Sequence, residues 1–470
     1  MGAVDLSYEE FLRRKASVAL ATGIIDLPEL NQHMFEFQKP ICRFGLRRGR
    51  AAFFGAMGLG KTLLQQEWAR VVAEHTRRPV IILAPLAVAA QSVREGEKFG
   101  ISVNLCRDGS DVRPGINITN YERLHKFDPA TFGGVVLDES SCIRSYDGKL
   151  RTTIIESFAG TSFRLSCTAT PAPNDYEELG NQCEFLGVMK RVEMLSMFFT
   201  HDSGDTGTWR LKGHARTAYW RWVATWAAVF RKPSDLGFSD EGYDLPALHV
   251  HEHVLPAEQA DAFASGRLFV DDARGLSEQR RAKRASLSRR VAKAAELVAS
   301  EPNESWLVLC ELNDEGNALA KAITGSVQVA GSDSIDEKEE RLLAFADGKF
   351  KVLITKSAIA GWGMNWQHAA RILFVGVTNS YEQFTQSIGR LHRFGQKREV
   401  HCHVILGEAE GAILSNLKRK HESAVEMTTE MSRYVSEVVL AEEHTASFRQ
   451  LAPYRASVPV ASPSWARGAR

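Results

Sequence analysis

No stretch of this chain approaches the roughly 18 uninterrupted apolar residues that a membrane-crossing helix needs, so no membrane partner is expected. The first residues bring Asp5, Glu9, Glu10, Arg13 and Arg14 where a secretory signal would have its apolar centre, and the expectation is a soluble, cytoplasmic protein. Cysteine is sparse. The seven residues Cys42, Cys106, Cys142, Cys167, Cys183, Cys310 and Cys402 are scattered without a C-x-x-C pair, so neither a disulfide framework nor a cysteine zinc site is indicated. Nor is either sign of charge in excess: 58 basic against 57 acidic residues leave a formal net charge of +1, so any attraction for a polyanion must come from local clusters. Two such clusters exist. Arg47, Arg48 and Arg50 precede the first apolar run, and Arg280, Arg281, Lys283, Arg284, Arg289 and Arg290 recur at helical spacing, either as a solvated helix face or as phosphate contacts.

What the chain does have is apolar residue enough for two cores, 44% hydrophobic over 470 positions, which is too long for one ordinary domain. Apolar runs, several of them rich in β-branched residues, at 51–54, 80–84, 116–119, 135–137 and 164–167 alternate with helical patterns, as in a parallel sheet covered by helices. The plan repeats with runs at 306–310, 327–330, 352–355, 372–375 and 401–406, so two α/β lobes in tandem are predicted. Between them, residues 176–256 are rich in aromatics and show no clear strands, and read as a helical insertion. Trp222, Trp226 and Phe230 fall at a helical step, which predicts one face packed on a lobe, with stacking on nucleic-acid bases as the competing reading. Beyond the second lobe, residues 409–439 read as helices, and the Pro-, Ser- and Arg-bearing tail from 452 as disordered.

Gly55-Ala56-Met57-Gly58-Leu59-Gly60-Lys61-Thr62 fits G-x-x-x-x-G-K-[ST] between a predicted strand and a predicted helix. In that setting Gly55, Gly58 and Gly60 let backbone N–H groups turn around phosphates, Lys61 reaches the β and γ oxygens, and the Thr62 hydroxyl is a ligand for Mg2+. Asp138 and Glu139 follow an apolar run in the same lobe. Asp138 would hold the metal with Thr62, and Glu139 would orient and deprotonate water. Farther on, Gln386-Ser387-Ile388-Gly389-Arg390-Leu391-His392-Arg393-Phe394-Gly395-Gln396 places Arg390 and Arg393 one helical turn apart, so that on one helix both would point across a cleft to a γ-phosphate.

This last segment is a close match to the Q-x-x-G-R-x-H-R-x-G-Q signature, and with the phosphate loop and the acidic pair the chain resembles superfamily 2 helicases and translocases over roughly residues 35–396. It is most similar to their Swi/Snf-like group, in the compact form found in bacteria, phages and prophages. The resemblance implies two RecA-like lobes, 35–175 binding ATP and 257–408 forming the C-terminal lobe. Flanking them would be an N-terminal helical extension (1–34), the insertion (176–256), C-terminal helices (409–451) and the tail (452–470). It implies ATP and Mg2+ as cofactors, with Gln38 reading adenine and Gly363, Gln386, Arg390 and Arg393 completing the nucleotide site. Nucleic-acid contacts would fall to Pro85, Thr119 and Asn120 in the first lobe and to Ser357 and Asn365 in the second. Thr168 and Thr170, in Ser166-Cys167-Thr168-Ala169-Thr170-Pro171, would link ATP state to that surface. The acidic motif reads Asp138-Glu139-Ser140-Ser141 instead of ending in the Ala-His of many relatives, a departure that bears on this coupling and leaves hydrolysis in place. The implied activity is ATP hydrolysis driving translocation on double-stranded DNA by a monomer, in a bacterial cytoplasm or a phage-infected host. The alternatives are strand separation and an ATP-switched binding or loading scaffold with little turnover.

Overall fold

The computed structural model describes residues 21–85, 88–143, 148–172, 175–202, 205–256, 286–360, 364–377, 380–408 and 411–449. Residues 1–20, the basic residues Arg280 to Arg284, Trp362, Gly363 and the tail 452–470 lie outside the described residues.

The first lobe contains β1 (Arg50–Gly55), β2 (Val80–Ala84), β3 (Val103–Leu105), β4 (Ile116–Asn120), β5 (Gly134–Asp138) and β6 (Phe163–Thr168). A hairpin, β7 (Phe199–Asp202) with β8 (Asp205–Leu211), follows, then β9 (Ala227–Phe230) and β10 (Leu248–Leu255). The second lobe contains β11 (Trp306–Cys310), β12 (Ser326–Val329), β13 (Val352–Lys356), β14 (Arg371–Val375) and β15 (Val400–Gly407). The two large sheets run in the orders β3-β4-β2-β5-β6-β1-β9 and β10-β15-β14-β11-β13-β12, and every pairing in them is parallel. Central strands such as β2 and β11 are buried at every position, which is why they read as unbroken apolar runs instead of alternating ones. The fold is thus the expected pair of parallel-sheet lobes.

The segment between the lobes departs from its helical reading. β9 adds to the first sheet beside β1, and β10 adds to the second beside β15, so each lobe borrows its outermost strand from the connection. The four residues Ala-Ala-Val-Phe of β9 are too short a run to announce a strand, and β10 alternates apolar residues with histidines that read as polar. Trp222, Trp226 and Phe230 consequently do not share a helix: the helix Arg216–Ala224 stops before Trp226, and Phe230 ends β9. All three are buried, at 3%, 0% and 0% exposure, leaving no face on which a base could stack. The described part of the N-terminal extension, residues 21–34, contains no helix.

At the other end the expected helices are one continuous helix, Gly411–Arg449, of 39 residues. Ile413 and Leu417 enter the core of the second lobe, and Met427, Met431 and Val439 that of the first, so this helix straps the two together. Of the second basic cluster, Arg290 is neither solvated nor a phosphate contact. It is fully buried and its Nη2 lies 2.8 Å from the Glu315 carboxylate, itself fully buried.

Candidate active site between the two lobes

The order β5-β6-β1 sets the carboxyl ends of three strands side by side, and each delivers part of the site. Asp138 on β5 and Phe53 on β1 both register with Cys167 of the intervening β6. The acidic pair and the phosphate loop are therefore about two strand spacings apart, roughly 10 Å. Ligands of open parallel sheets lie in a crevice at this edge.

The loop after β1 turns through left-handed backbone at Gly58 (φ 84°) and Gly60 (φ 72°). A side chain at either would also collide, with the backbone N of Phe394 at 2.5 Å from a Cβ on Gly58 and with Nε2 of Gln38 at 2.4 Å from one on Gly60. The first collision partner belongs to the second lobe, so the lobes meet at the phosphate loop. Lys61, first residue of the helix Lys61–Thr76, donates from Nζ to the carbonyls of Gly55 (2.8 Å) and Ala56 (3.2 Å). Burial pulls its pKa down; the charges of Glu139 and Asp138 oppose this and Arg393 adds to it.

Gln38 lies against the same loop. Its Nε2 donates to the Leu59 carbonyl (2.9 Å) and its Oε1 accepts from the Phe35 N–H (3.0 Å), and the side chain is fully buried. In this conformation it braces the loop instead of presenting an edge to a base.

Asp138 accepts from Nε2 of Gln65 (2.7 Å) and from the Glu139 N–H (3.1 Å), and its carbonyl accepts from the Tyr121 hydroxyl (2.6 Å). Burial, with the Glu139 charge beside it, pushes Asp138 up to about 6 despite Gln65 and Lys61. Glu139 itself sits at φ 52°, a conformation that costs a non-glycine residue of the order of 1 kcal/mol or more and concentrates at functional sites. The Thr168 hydroxyl donates to Oε2 of Glu139 at 3.4 Å and accepts from the Thr170 N–H at 3.1 Å. A parallel chain joins the Ser166 hydroxyl to Oε1 of Gln182, whose Nε2 donates to the Ser140 carbonyl (3.0 Å). Gln182 thus ties the acidic motif to the serine-threonine motif on the neighbouring strand.

The arginines do not lie on a helix as expected. The helix Tyr381–Ile388 ends at Gly389, and Arg390 and Arg393 occupy the turn that follows, which closes at Gly395 (φ 92°). Gln396 holds that turn: its Nε2 lies within 3.0–3.1 Å of the carbonyls of Gln367, Ala369 and Leu391, and its Oε1 accepts from the N–H groups of Lys397 and Arg398. Burial lowers Arg390 to about 10, with Glu139 and Asp138 opposing and Arg393 contributing. Arg393 is also lowered by burial, against Glu95 and Glu139, and its buried Nε has no hydrogen-bond partner among the described residues. Both lobes therefore contribute charge to one small volume: Lys61, Arg390 and Arg393 opposite Asp138 and Glu139. Three cations, Arg390 buried and Lys61 and Arg393 half-buried, face two half-buried carboxylates, and with the unanswered Nε–H of Arg393 they suit a polyphosphate anion.

Contacts between the lobes frame this volume. Met57, in the phosphate loop, packs so closely on Gly389 that a Cβ there would lie 1.8 Å from its sulfur. Phe394 stacks on Tyr243 (centroids 4.7 Å apart) and meets Phe35 edge-on (6.2 Å), while Tyr243 also meets Phe37 (5.2 Å). The sequence reading missed Gln65, Gln182 and Tyr243, and gave Met57 and Tyr121 no part in these contacts. Their signal was only proximity to motifs.

The expected nucleic-acid contacts are dispersed by exposure. Thr119, Asn120, Thr168, Thr170 and Ser357 are buried, and Asn120 caps the turn Tyr121–Lys126 by accepting from the Arg123 N–H (3.1 Å). Pro85 is partly exposed at the end of β2 and Asn365 is exposed. Gln386 is buried, with Nε2 3.3 Å from the Glu382 carboxylate. Thr62 is half-buried at the start of its helix.

Residues 289–395 match the family described as the helicase conserved C-terminal domain. The chain is 29% identical over 152 residues to the RNA polymerase-associated protein RapA of Photobacterium profundum, a match covering 31% of this chain and 16% of that protein. It thus spans about a sixth of that relative's length. Among solved structures, the Sulfolobus solfataricus SWI2/SNF2 ATPase core in complex with dsDNA aligns over 90% of this chain and 98% of that one, at 18% identity and a TM-score of 0.40.

Proposed function

We propose that this chain is a superfamily 2 motor of the Swi/Snf-like group, driven by ATP and translocating on double-stranded DNA, a reading supported by its likeness to the helicase C-terminal domain and to RapA. The observation that carries the reading is the convergence of Arg390 and Arg393 from one lobe with Lys61, Asp138 and Glu139 from the other.

In this mechanism the phosphate loop cradles the triphosphate and Lys61 exchanges the Gly55 and Ala56 carbonyls for phosphate oxygens. Thr62 and Asp138 would hold a Mg2+ ion, which supplies charge neutralisation at the β and γ oxygens. Glu139, held by Thr168, orients and deprotonates the attacking water. Arg390 and Arg393 meet the charge that spreads over the equatorial oxygens, a contribution of about 10³ to 10⁵ in rate for an inserted arginine. Because those arginines leave with their lobe, hydrolysis requires closure, and the chain Glu139–Thr168–Thr170 carries the state of the γ-phosphate toward the expected DNA-facing edge.

The test is ATP hydrolysis measured without polymer and with duplex DNA, single-stranded DNA and RNA. Duplex DNA is expected to stimulate most, and stimulation of triplex displacement without fork unwinding would accompany it. Equal rates under all four conditions would contradict a DNA motor.

A further inference from the structure

β10 carries His249, His251 and His253 at every second position, and β15, its parallel neighbour, carries His401 and His403 in register, His249 opposite His401 and His251 opposite His403. Side chains alternate across a strand, so the five imidazoles share one face. They form a ladder: Nε2 of His251 lies 3.0 Å from Nδ1 of His401, and Nε2 of His253 3.0 Å from Nδ1 of His403. Successive rings stack, with centroids 4.9 Å apart for His249–His401 and 4.6 Å for His251–His403. At the open end, Nε2 of His249 lies 3.1 Å from the Glu399 carboxylate. His249, Glu399 and His401 each bring a ligand atom within 4.8 Å of the others.

Burial alone does not account for this composition. Along β10, His251 and His253 are half-buried, whereas Val250 and Val254 on the opposite face are 48% and 54% exposed. A strand chosen for apolar packing would have the reverse pattern. The imidazole nitrogens therefore explain the choice better than the ring surface does.

We propose that His249, His401 and Glu399 form a surface site for a divalent transition-metal ion of the Zn2+ or Ni2+ type, with water completing the coordination shell. Two imidazoles and a carboxylate suit such borderline ions and not Mg2+ or Ca2+, which favour all-oxygen sets. The His251 contact orients the His401 ring, as outer-shell partners of metal-bound histidines do. His249 and Glu399 are 42% and 63% exposed, so an ion can enter from solvent. Bound there, it would pin the last strand of the inter-lobe connection to β15 and so fasten that connection to the second lobe.

The test uses the full chain, without an affinity tag and stripped by chelator. Zn2+ is titrated by calorimetry, and Cu2+ serves as a paramagnetic probe. Expected are one saturable equivalent retained in Asp138→Asn, nitrogen hyperfine structure from imidazole in the Cu2+ spectrum, and a higher melting temperature with Zn2+. Glu399→Gln and His249→Ala, both at exposed positions, should each weaken Zn2+ by about tenfold or more and leave ATP hydrolysis unchanged. Absence of a saturable equivalent, a Cu2+ spectrum without nitrogen coupling, or unaltered Zn2+ affinity in both variants would overturn the proposal.

Discussion

Asp138 and Glu139 are adjacent, half-buried carboxylates, and desolvation together with their repulsion lets Asp138 keep a proton that an exposed aspartate would lose. Its pKa, raised from 3.8 to about 6, has a definite sign. Between those values the folded protein without ligands binds a proton that the unfolded chain releases. The resulting stability is fully present below pH 3.8 and is lost as pH rises through about 6. Metal binding has the opposite preference, since Mg2+ requires the ionised carboxylate. We expect Mg2+ affinity of the nucleotide-free protein to fall about tenfold per unit below pH 6 and to be nearly flat in Asp138→Asn, as followed by calorimetry. A wild-type profile as flat as that of the variant would remove Asp138 from the proposed metal site. At this scale the sequence was informative where chemistry requires a residue type: Gly58, Gly60, Lys61 and the acidic pair all converge on one volume. It was uninformative for Gln65 and Gln182, because a glutamine inside a helix is legible only once its hydrogen-bond partner is known.

The turn from Gly389 to Gln396 is the element on which the second lobe's contribution depends. Periodicity suggested a continued helix, but Gly389 sits against Met57 and Gln396 draws the backbone into a tight bend, so tertiary contact overrode local propensity. A similar limit hid β10, whose alternation has the period of a strand but falls in the segment that read as having no clear strands. The turn also delivers Phe394 to Tyr243 and Phe35. Aromatic pairs contribute about 0.5–1.5 kcal/mol each, so losing two should disfavour closure by about 1–3 kcal/mol, or roughly 5- to 150-fold. Phe394→Ala is accordingly expected to lower the turnover rate of ATP within that range while the melting transitions of the lobes stay in place. Unchanged turnover would show that the aromatic contact plays no part in closure.

At the scale of the whole molecule, two parallel sheets in tandem were readable from repeated apolar runs, whereas their mutual placement was not, because inter-lobe contacts join residues hundreds of positions apart. Gly58 meeting Phe394 and the strap helix Gly411–Arg449 crossing both cores are facts of assembly. The assembly matters because the proposed site is incomplete in either lobe alone: lobe one holds the phosphate loop and the acids, and lobe two the arginines. ATP binding should therefore survive changes in the second lobe that abolish hydrolysis. The most direct measurement is duplex-stimulated ATP hydrolysis by Arg390→Ala alongside its equilibrium affinity for ATP. The account predicts a fall in turnover of about 10³-fold or more with ATP affinity within a few-fold of the unaltered protein; stimulated turnover equal to that of the unaltered protein would contradict it.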